Sequence, residues 1–389
     1  MRLAIVASHP IQYYAPLYRE LARRCELTVF FAHRATQSDQ AEAGFGVGFE
    51  WDVDLLASYQ HVFLRNVAKR PGLGRFSACD TPEIGARLRS AGSDAVLIQG
   101  WHLKSYLQAL IAAKRLGLPV MLRGDSQLAT RRSPLKSGVK AIAFPPLLRL
   151  YDAALYVGRR SREYWLRYRY PADRLFFSPH CVDTEWFASR ATASARQELR
   201  ARLGIEPGVL LVVFAGKLVP FKRPLDIVAA VARLKGASRK IEVLVAGAGE
   251  LEAEMRQAAQ DSGVALHLLG FRNQRDMPAV YAAGDVLALP SDGRETWGMV
   301  ANEALACCRP VVLSEAVGSA PDLAEDATAG RVFPEGDVPA LAGALLDLAA
   351  SPPAASAIAA KSRSYGLAAA ADGIEAALAC VASRGRSYV

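Results

Sequence analysis

Residues 286–313 narrow the possible folds of this chain more than any other stretch. An apolar run at 286–290 (VLALP) is followed by a polar loop carrying Asp292, Gly293 and Glu295. An apolar segment at 297–308 and a second apolar run at 310–313 (PVVL) come next. Short apolar runs of this kind are strands buried on both faces. Parallel strands need a crossover between them, and 297–308 is long enough to be its helix. Thr296 is placed to start that helix, its hydroxyl accepting from an amide of the first turn. Glu295 then stands in the loop before the helix, and Glu303 about two turns inside it. The amides of Trp297, Gly298 and Met299 would open the helix, where the first turn has no carbonyl partners of its own. Such a helix start, flanked by two carboxylates, suits a phosphate on the amides and hydroxyl groups on the carboxylates.

The same unit recurs along the chain. Strands are expected at 3–7, 27–32, 95–99, 119–123, 153–157 and 175–178, with helices at 15–24, 105–116 and 159–170. A second series has strands at 210–214, 241–246 and 265–269 and helices at 224–234, 250–262 and 277–283, leading into the run at 286. This alternation implies an α/β chain of two doubly wound halves. The polar, Ala/Arg-rich residues 188–206 read as a linker, and 337–382 as Ala-rich helix. At 389 residues the chain is long enough for two cores. No apolar run approaches a membrane span. The opening MRLAIVASHP reads as a first buried strand rather than a signal peptide. Six cysteines without metal-ligand spacing imply reduced thiols and a cytoplasmic setting.

Charge is uneven. Residues 123–174 hold twelve Lys/Arg against four acids, within a formal net charge of +9. A basic region of this kind suits nucleotide phosphates or an acidic membrane surface. Residues 136–150 have the mixed basic and apolar character of a segment lying on a membrane or covering a sheet. Residues 159–170 set Tyr164, Trp165 and Tyr168 among arginines, a composition that can stack on RNA or sit at lipid headgroups. No RNA-binding signature accompanies them, so nucleic acid is not supported as a partner. The loop after the first strand lacks G-x-G-x-x-G, which argues against a dinucleotide site there. Loops at the carboxyl ends of parallel strands are nonetheless the usual ligand position. They make His9, Gln12, Tyr13, His102, Arg123 and Asp125 site candidates. Asp52-Val53-Asp54 spells a D-x-D triplet, a weak metal signal in apolar surroundings.

In the second half, Gly216-Lys217 and Lys222 follow the first strand, and Gly247-Ala248-Gly249 follows the next. Glycine admits a ligand close to the backbone. Two ammonium groups at a strand's carboxyl end suit a diphosphate.

These residues carry a resemblance. Gly216-Lys217-Leu-Val-Pro-Phe-Lys222, Gly247-Ala-Gly249, Leu269-Gly-Phe271, Tyr281, Asp285, Pro290-Ser291, Glu295 and Glu303-Ala304, Gly318 and Gly330 together resemble the donor-binding domain of family-4 glycosyltransferases. Those are retaining enzymes of GT-B architecture. The resemblance covers most of 175–350, and the first half matches more loosely through SHPIQYYAPLYREL. It implies two doubly wound Rossmann-like domains facing an interdomain cleft. The N-terminal, acceptor-binding one would take 1–187 plus a crossover helix at 362–389, and the nucleotide-sugar-binding one 188–361.

By the same resemblance, Lys217 and Lys222 neutralise the donor diphosphate, Glu303 accepts from the ribose hydroxyls, and Glu295 holds sugar hydroxyls. Gly216, Gly247, Thr296 and the Trp297–Met299 amides lie along sugar and phosphate, and Phe271 and Arg272 lie by the base. Asp125 and His102 stand on the acceptor side as catalytic candidates. The first N-terminal loop has His9-Pro-Ile-Gln12 where many members have Gly-Gly, and Gly124 stands where many have His. The expected reaction is retaining transfer from a nucleotide-diphosphate sugar to a saccharide or lipid-linked acceptor, in polysaccharide, glycolipid or glycoconjugate synthesis. Neither cofactor nor essential metal is expected, and the enzyme would be cytoplasmic or peripheral at the inner membrane face. Rival readings are another GT-B enzyme, an epimerase or phosphorylase, or a non-catalytic sugar-nucleotide-binding protein.

Overall fold

The apolar runs form two separate sheets in a computed structural model that describes residues 1–37, 48–128 and 134–385. The first sheet contains β1 (Arg2–Ala7), β2 (Glu26–Phe31), β3 (Gln60–Phe63), β4 (Ala95–Ile98), β5 (Val120–Gly124), β6 (Ala153–Tyr156) and β7 (Leu175–Phe177). Their order is β3-β2-β1-β4-β5-β6-β7. The second contains β8 (Leu210–Ala215), β9 (Ile241–Ala246), β10 (Leu266–Leu268), β11 (Val286–Leu289), β12 (Val311–Ser314) and β13 (Gly330–Phe333), in the order β10-β9-β8-β11-β12-β13. Every pairing between these strands is parallel. Central strands β4, β8, β11 and β12 are buried along their whole length, which is why they read as unbroken apolar runs. Both sheets are Rossmann-like.

Each sheet reverses its winding once, between β1 and β4 in the first and between β8 and β11 in the second. Outside the carboxyl ends of the strands, those reversal points are where open α/β sheets bind ligands.

The described residues cluster into two compact units. One comprises 1–37, 54–180 and the last helix, Leu367–Gly385; the other comprises 48–53 and 181–366. The chain thus leaves the first unit after His180, earlier than the 187 read from the sequence, and re-enters it after Gly366. In the first unit, the backbone of the last helix closes on the end of β7: a Cβ on Gly373 would lie 1.7 Å from the Phe177 carbonyl oxygen.

Several expectations are corrected. Residues 188–206 are not a linker: helices Thr184–Arg190 and Ala193–Arg202 occupy most of them. The side chains of Asp183 and Thr192 cap their first turns. Arg196 and Arg200 supply what binary patterning hides. Arg196 donates to the carbonyls of Ala282, Ala283 and Gly284, and Arg200 to that of Ala283. Edge strand β3 and edge strand β13 were not expected, because half-buried edge strands lack a continuous apolar run. Tyr164, Trp165 and Tyr168 are buried in the first core, not offered to RNA or lipid. Lys140 lies over the rings of Phe144, Tyr164 and Tyr168 at 4.2, 4.6 and 5.2 Å. Among the described residues no single helix is long and apolar enough to cross a membrane. All six cysteines are free thiols.

Candidate active site

At the reversal point of the second sheet, the loop after β8 meets the loop after β11. Pro220–Lys222 is a short 3-10 turn. The Asp292 amide donates to the Phe221 carbonyl at 2.8 Å, which ties the two loops together. The Lys222 ammonium reaches the Glu295 carboxylate in an ion pair, and both side chains are mostly buried. The Ser291 hydroxyl lies 3.4 Å from the same carboxylate oxygen.

The main chain around Glu295 is clamped. The Gly318 amide donates to the Glu295 carbonyl at 3.0 Å, and the Ser319 hydroxyl to the Trp297 carbonyl at 2.6 Å. A Cβ on Gly318 would sit 1.8 Å from the Thr296 carbonyl oxygen, so only glycine fits that approach.

The helix after this loop is Met299–Ala306, shorter than expected. Its cap is Gly298, left-handed at φ 88°, and not Thr296, whose side chain is exposed. A chain that turns through a left-handed residue delays the helix by two positions. Of the three amides expected to open it, only that of Met299 belongs to the first turn. Trp297 is buried and donates through Nε1 to Asn302, so its side chain serves the core. Glu303 is where the spacing placed it, inside the helix. It is buried and accepts from the Tyr281 hydroxyl at 2.6 Å. Tyr281 thus holds the Glu303 carboxyl group in place, a role its own position in the sequence does not advertise.

Gly216 and Gly247 lie at the ends of β8 and β9. A Cβ on Gly247 would be 1.8 Å from the Gly216 carbonyl oxygen, and one on Gly216 would be 3.8 Å from Lys222 Nζ. Lys217 is half-buried. Burial first, then the charge of Lys222, hold its pKa below the usual lysine value, while Glu295 pulls it back up. A cation in that position favours an arriving anion. Past β10, the Phe271 ring packs on Phe49 at 4.4 Å between centroids, and Arg272 donates to the Leu269 carbonyl at 2.8 Å.

The D-x-D triplet does not act as a unit. Asp54 accepts from the amides of Leu56 and Ala57. Asp52 accepts from the Arg275 amide at 3.2 Å. Among the described residues no His/Cys/Asp/Glu group is arranged to hold a metal ion.

The reversal point of the first sheet gathers the other candidates. His9 Nδ1 is 2.9 Å from the Ser8 hydroxyl, and Tyr18 donates to Gln99. His102 is exposed to solvent on one side and faces the Tyr106 ring at 5.6 Å on the other; partial desolvation there lowers its pKa while Asp125 raises it. Gln12 and Tyr13 precede the helix Tyr14–Arg24. Arg123 is buried, and its guanidinium donates to the carbonyls of Ser178 and Pro179 at 3.1 and 2.6 Å. It therefore ties the end of β5 to the segment after β7. That segment brings in a residue the sequence reading missed. His180 is buried with Nε2 3.8 Å from Asp125. Its position three residues past β7, at the same sheet edge, was the available signal.

Residues 195–365 match the family described as Glycosyl transferases group 1. The GDP-mannose-dependent alpha-(1-6)-phosphatidylinositol monomannoside mannosyltransferase of Mycolicibacterium smegmatis is 32% identical over 224 residues, 56% of this chain and 58% of that protein. The D-inositol 3-phosphate glycosyltransferase of Saccharomonospora viridis is 34% identical over 217 residues, 53% of this chain and 45% of that protein. The chain spans about half the length of these curated relatives. Among solved structures, Anabaena HepE in complex with UDP is similar at a TM-score of 0.73 and 17% identity, covering 97% of this chain and 100% of that one. Sucrose-phosphate synthase from Thermosynechococcus elongatus reaches 0.70 at 18% identity, covering 99% and 100%. The structural likeness shows the fold, which is GT-B. The chain carries a glycosyl transferases group 1 domain at 195–365 within a fold of two parallel-sheet Rossmann-like units.

Proposed function

We propose that this protein is a retaining glycosyltransferase of family 4 that moves a sugar from a nucleotide-diphosphate sugar to an acceptor. The observation that carries the reading is the Lys222–Glu295 pair at the reversal point of the second sheet, beside the Gly216–Gly247 contact that leaves the backbone bare. The donor diphosphate lies against Lys217 and Lys222, which stabilise the charge that develops as the nucleotide leaves. Glu295 holds sugar hydroxyls, and Glu303, fixed by Tyr281, accepts from the ribose. The sugar passes through an oxocarbenium-like state, and the acceptor attacks the face from which the nucleotide departs. Two lysines supply the positive charge that a divalent cation otherwise brings, so we propose a metal-independent reaction.

The acceptor is proposed to be a saccharide or a lipid-linked saccharide in polysaccharide, glycolipid or glycoconjugate synthesis. It is met in the cytoplasm or at the inner membrane face. Support comes from the helix Pro134–Leu148, where Ile142 is 81% exposed and Leu147 is exposed, with Arg149 and Leu150 exposed just beyond it. Exposed apolar side chains beside a cation suit a helix that lies on a membrane surface.

A panel of UDP-, GDP-, ADP- and TDP-sugars in a thermal-shift assay identifies the donor, because a bound donor raises the unfolding midpoint. Transfer with that donor in the presence of EDTA, followed by the anomeric signal of the product in NMR, then tests the reaction. Inversion at the anomeric carbon, or loss of transfer in EDTA, rejects the corresponding part of the reading.

A further inference from the structure

The second unit has a cavity of about 280 Å³ at the sheet edge opposite Lys222 and Glu295. Leu210 and Val286, at the amino ends of β8 and β11, form its floor, and Leu345, Leu348 and Ile358 form an apolar wall. Arg239, Arg309 and one acid, Asp285, supply its charge.

Asp285 is already occupied. It accepts from Arg196 at 2.7 Å and from the Leu211 amide at 2.8 Å, with Arg200 and Arg239 at 3.5 and 3.8 Å. Arg196 and Arg200 place further donors on main-chain carbonyls, and Arg239 reaches those of Gly208 and Val209. Arg309 is different. Its Nε is fully enclosed and finds no acceptor among the described residues. Burial, and then the like charge of Arg196, push its pKa down. The Nε is closed to solvent and ligand alike; the atoms of Arg309 able to meet a ligand are its two terminal guanidinium nitrogens, which are not enclosed and make no hydrogen bond or ion pair among the described residues.

The backbone accepts strain to put it there. Helix Met299–Ala306 closes with the Cys308 amide on the Leu305 carbonyl and the Arg309 amide on the Ala304 carbonyl at 2.8 Å. This ending needs a left-handed residue, which is usually glycine. Here it is Cys308, at φ 58°.

We propose that this cavity binds a small organic anion, with a carboxylate or phosphate-monoester head on Arg309 and an apolar body of about one ring against Leu345, Leu348 and Ile358. The guanidinium fork matches either head. The volume lies just below the range of drug-sized pockets, which limits the body to a small one. Nothing in this assignment depends on the sugar-transfer reading.

The test is thermal shift and calorimetric titration of the full chain with benzoate and phenyl phosphate, and with benzamide as the neutral isostere. We expect at least one anion at millimolar concentration to raise the unfolding midpoint by about 2 °C or more, the size that linkage gives for a ligand several-fold above its Kd. Benzamide should leave it unmoved. The shift should survive Lys222→Ala, which removes the cation at the other edge, and vanish in Arg309→Leu. Ala355→Phe fills the exposed rim of the cavity and should also abolish it, which keeps the test available if Arg309→Leu does not fold. No shift with either anion, an equal shift with benzamide, or a shift lost in Lys222→Ala but kept in Ala355→Phe overturns the proposal.

Discussion

Lys222 and Glu295, 73 positions apart in the chain, form one ion pair at the point where the second sheet reverses its winding. On the proposed reading, a donor diphosphate that reaches Lys222 must share it with, or take it from, Glu295. Binding and transfer are therefore expected to separate. Glu295→Gln should lower transfer by about two to three orders of magnitude, the usual loss for a preorganised electrostatic contact. It should leave nucleoside-diphosphate affinity unchanged or tighter, because Lys222 loses its competitor. Lys222→Ala should weaken both, and Asp54→Asn neither. Calorimetry with the nucleoside diphosphate and initial rates on the same preparations decide this. Full activity in Glu295→Gln would remove that residue from the site.

On the proposed reading, Lys217 contributes donor binding at the expense of the fold. Its folded pKa is held below the ordinary 10.5 by burial and by Lys222. The unfolded chain then binds the proton more readily than the folded one, so stability rises with pH between the folded value and 10.5. At neutral pH the half-buried cation is a net cost. Lys217→Met should raise the unfolding midpoint by a few degrees while weakening nucleoside-diphosphate binding several-fold. A midpoint that falls would contradict the assignment.

Two glycines give a matched pair. A Cβ on Gly247 would overlap the Gly216 carbonyl oxygen, whereas one on Gly343, inside the helix Val338–Ala350, meets nothing within 4 Å. Gly247→Ala should destabilise by about 3 kcal/mol or more, as forced backbone shifts in a packed region do. Gly343→Ala should stabilise by about 0.5–1 kcal/mol through helix propensity. Urea unfolding of both variants measures the contrast.

His180 makes the first unit acid-sensitive. It is 8% exposed, and burial lowers its pKa from 6.5 more than Asp125 raises it. His102 is shifted the same way. Below pH 6.5 the unfolded chain takes up these protons first, so stability should fall as pH drops from 6.5 to the folded values and level off beneath them. His180→Gln should flatten that slope, read as urea midpoints at pH 7.5, 6.0 and 5.0. An unchanged slope would show that His180 stays charged in the fold.

Much of the architecture was legible because parallel strands buried on both faces leave unbroken apolar runs, as at 210–214 and 286–289. Glu303 was legible too, since a helix fixes what lies two turns in. What escaped reading has physical causes. The helix Ala193–Arg202 is polar by composition because its arginines point at carbonyls and at Asp285, contacts that no periodicity reveals. The cap moved from Thr296 to Gly298 because a clamped loop, not local propensity, sets where that helix begins. His180 escaped because its partner Asp125 sits on a different strand end, and only strand order brings the two together.

The last helix, Leu367–Gly385, belongs to the unit that contains the first strand. It packs where the Phe177 carbonyl comes within contact of Gly373, and Arg24 bonds to Asp372 and Glu375. On the ribosome, the whole of residues 181–366 must therefore emerge before the earlier-made unit receives its final helix. The part synthesised second is free to fold first, and the part synthesised first must wait, with the surface around β7 uncovered, until residues 367–385 have been made.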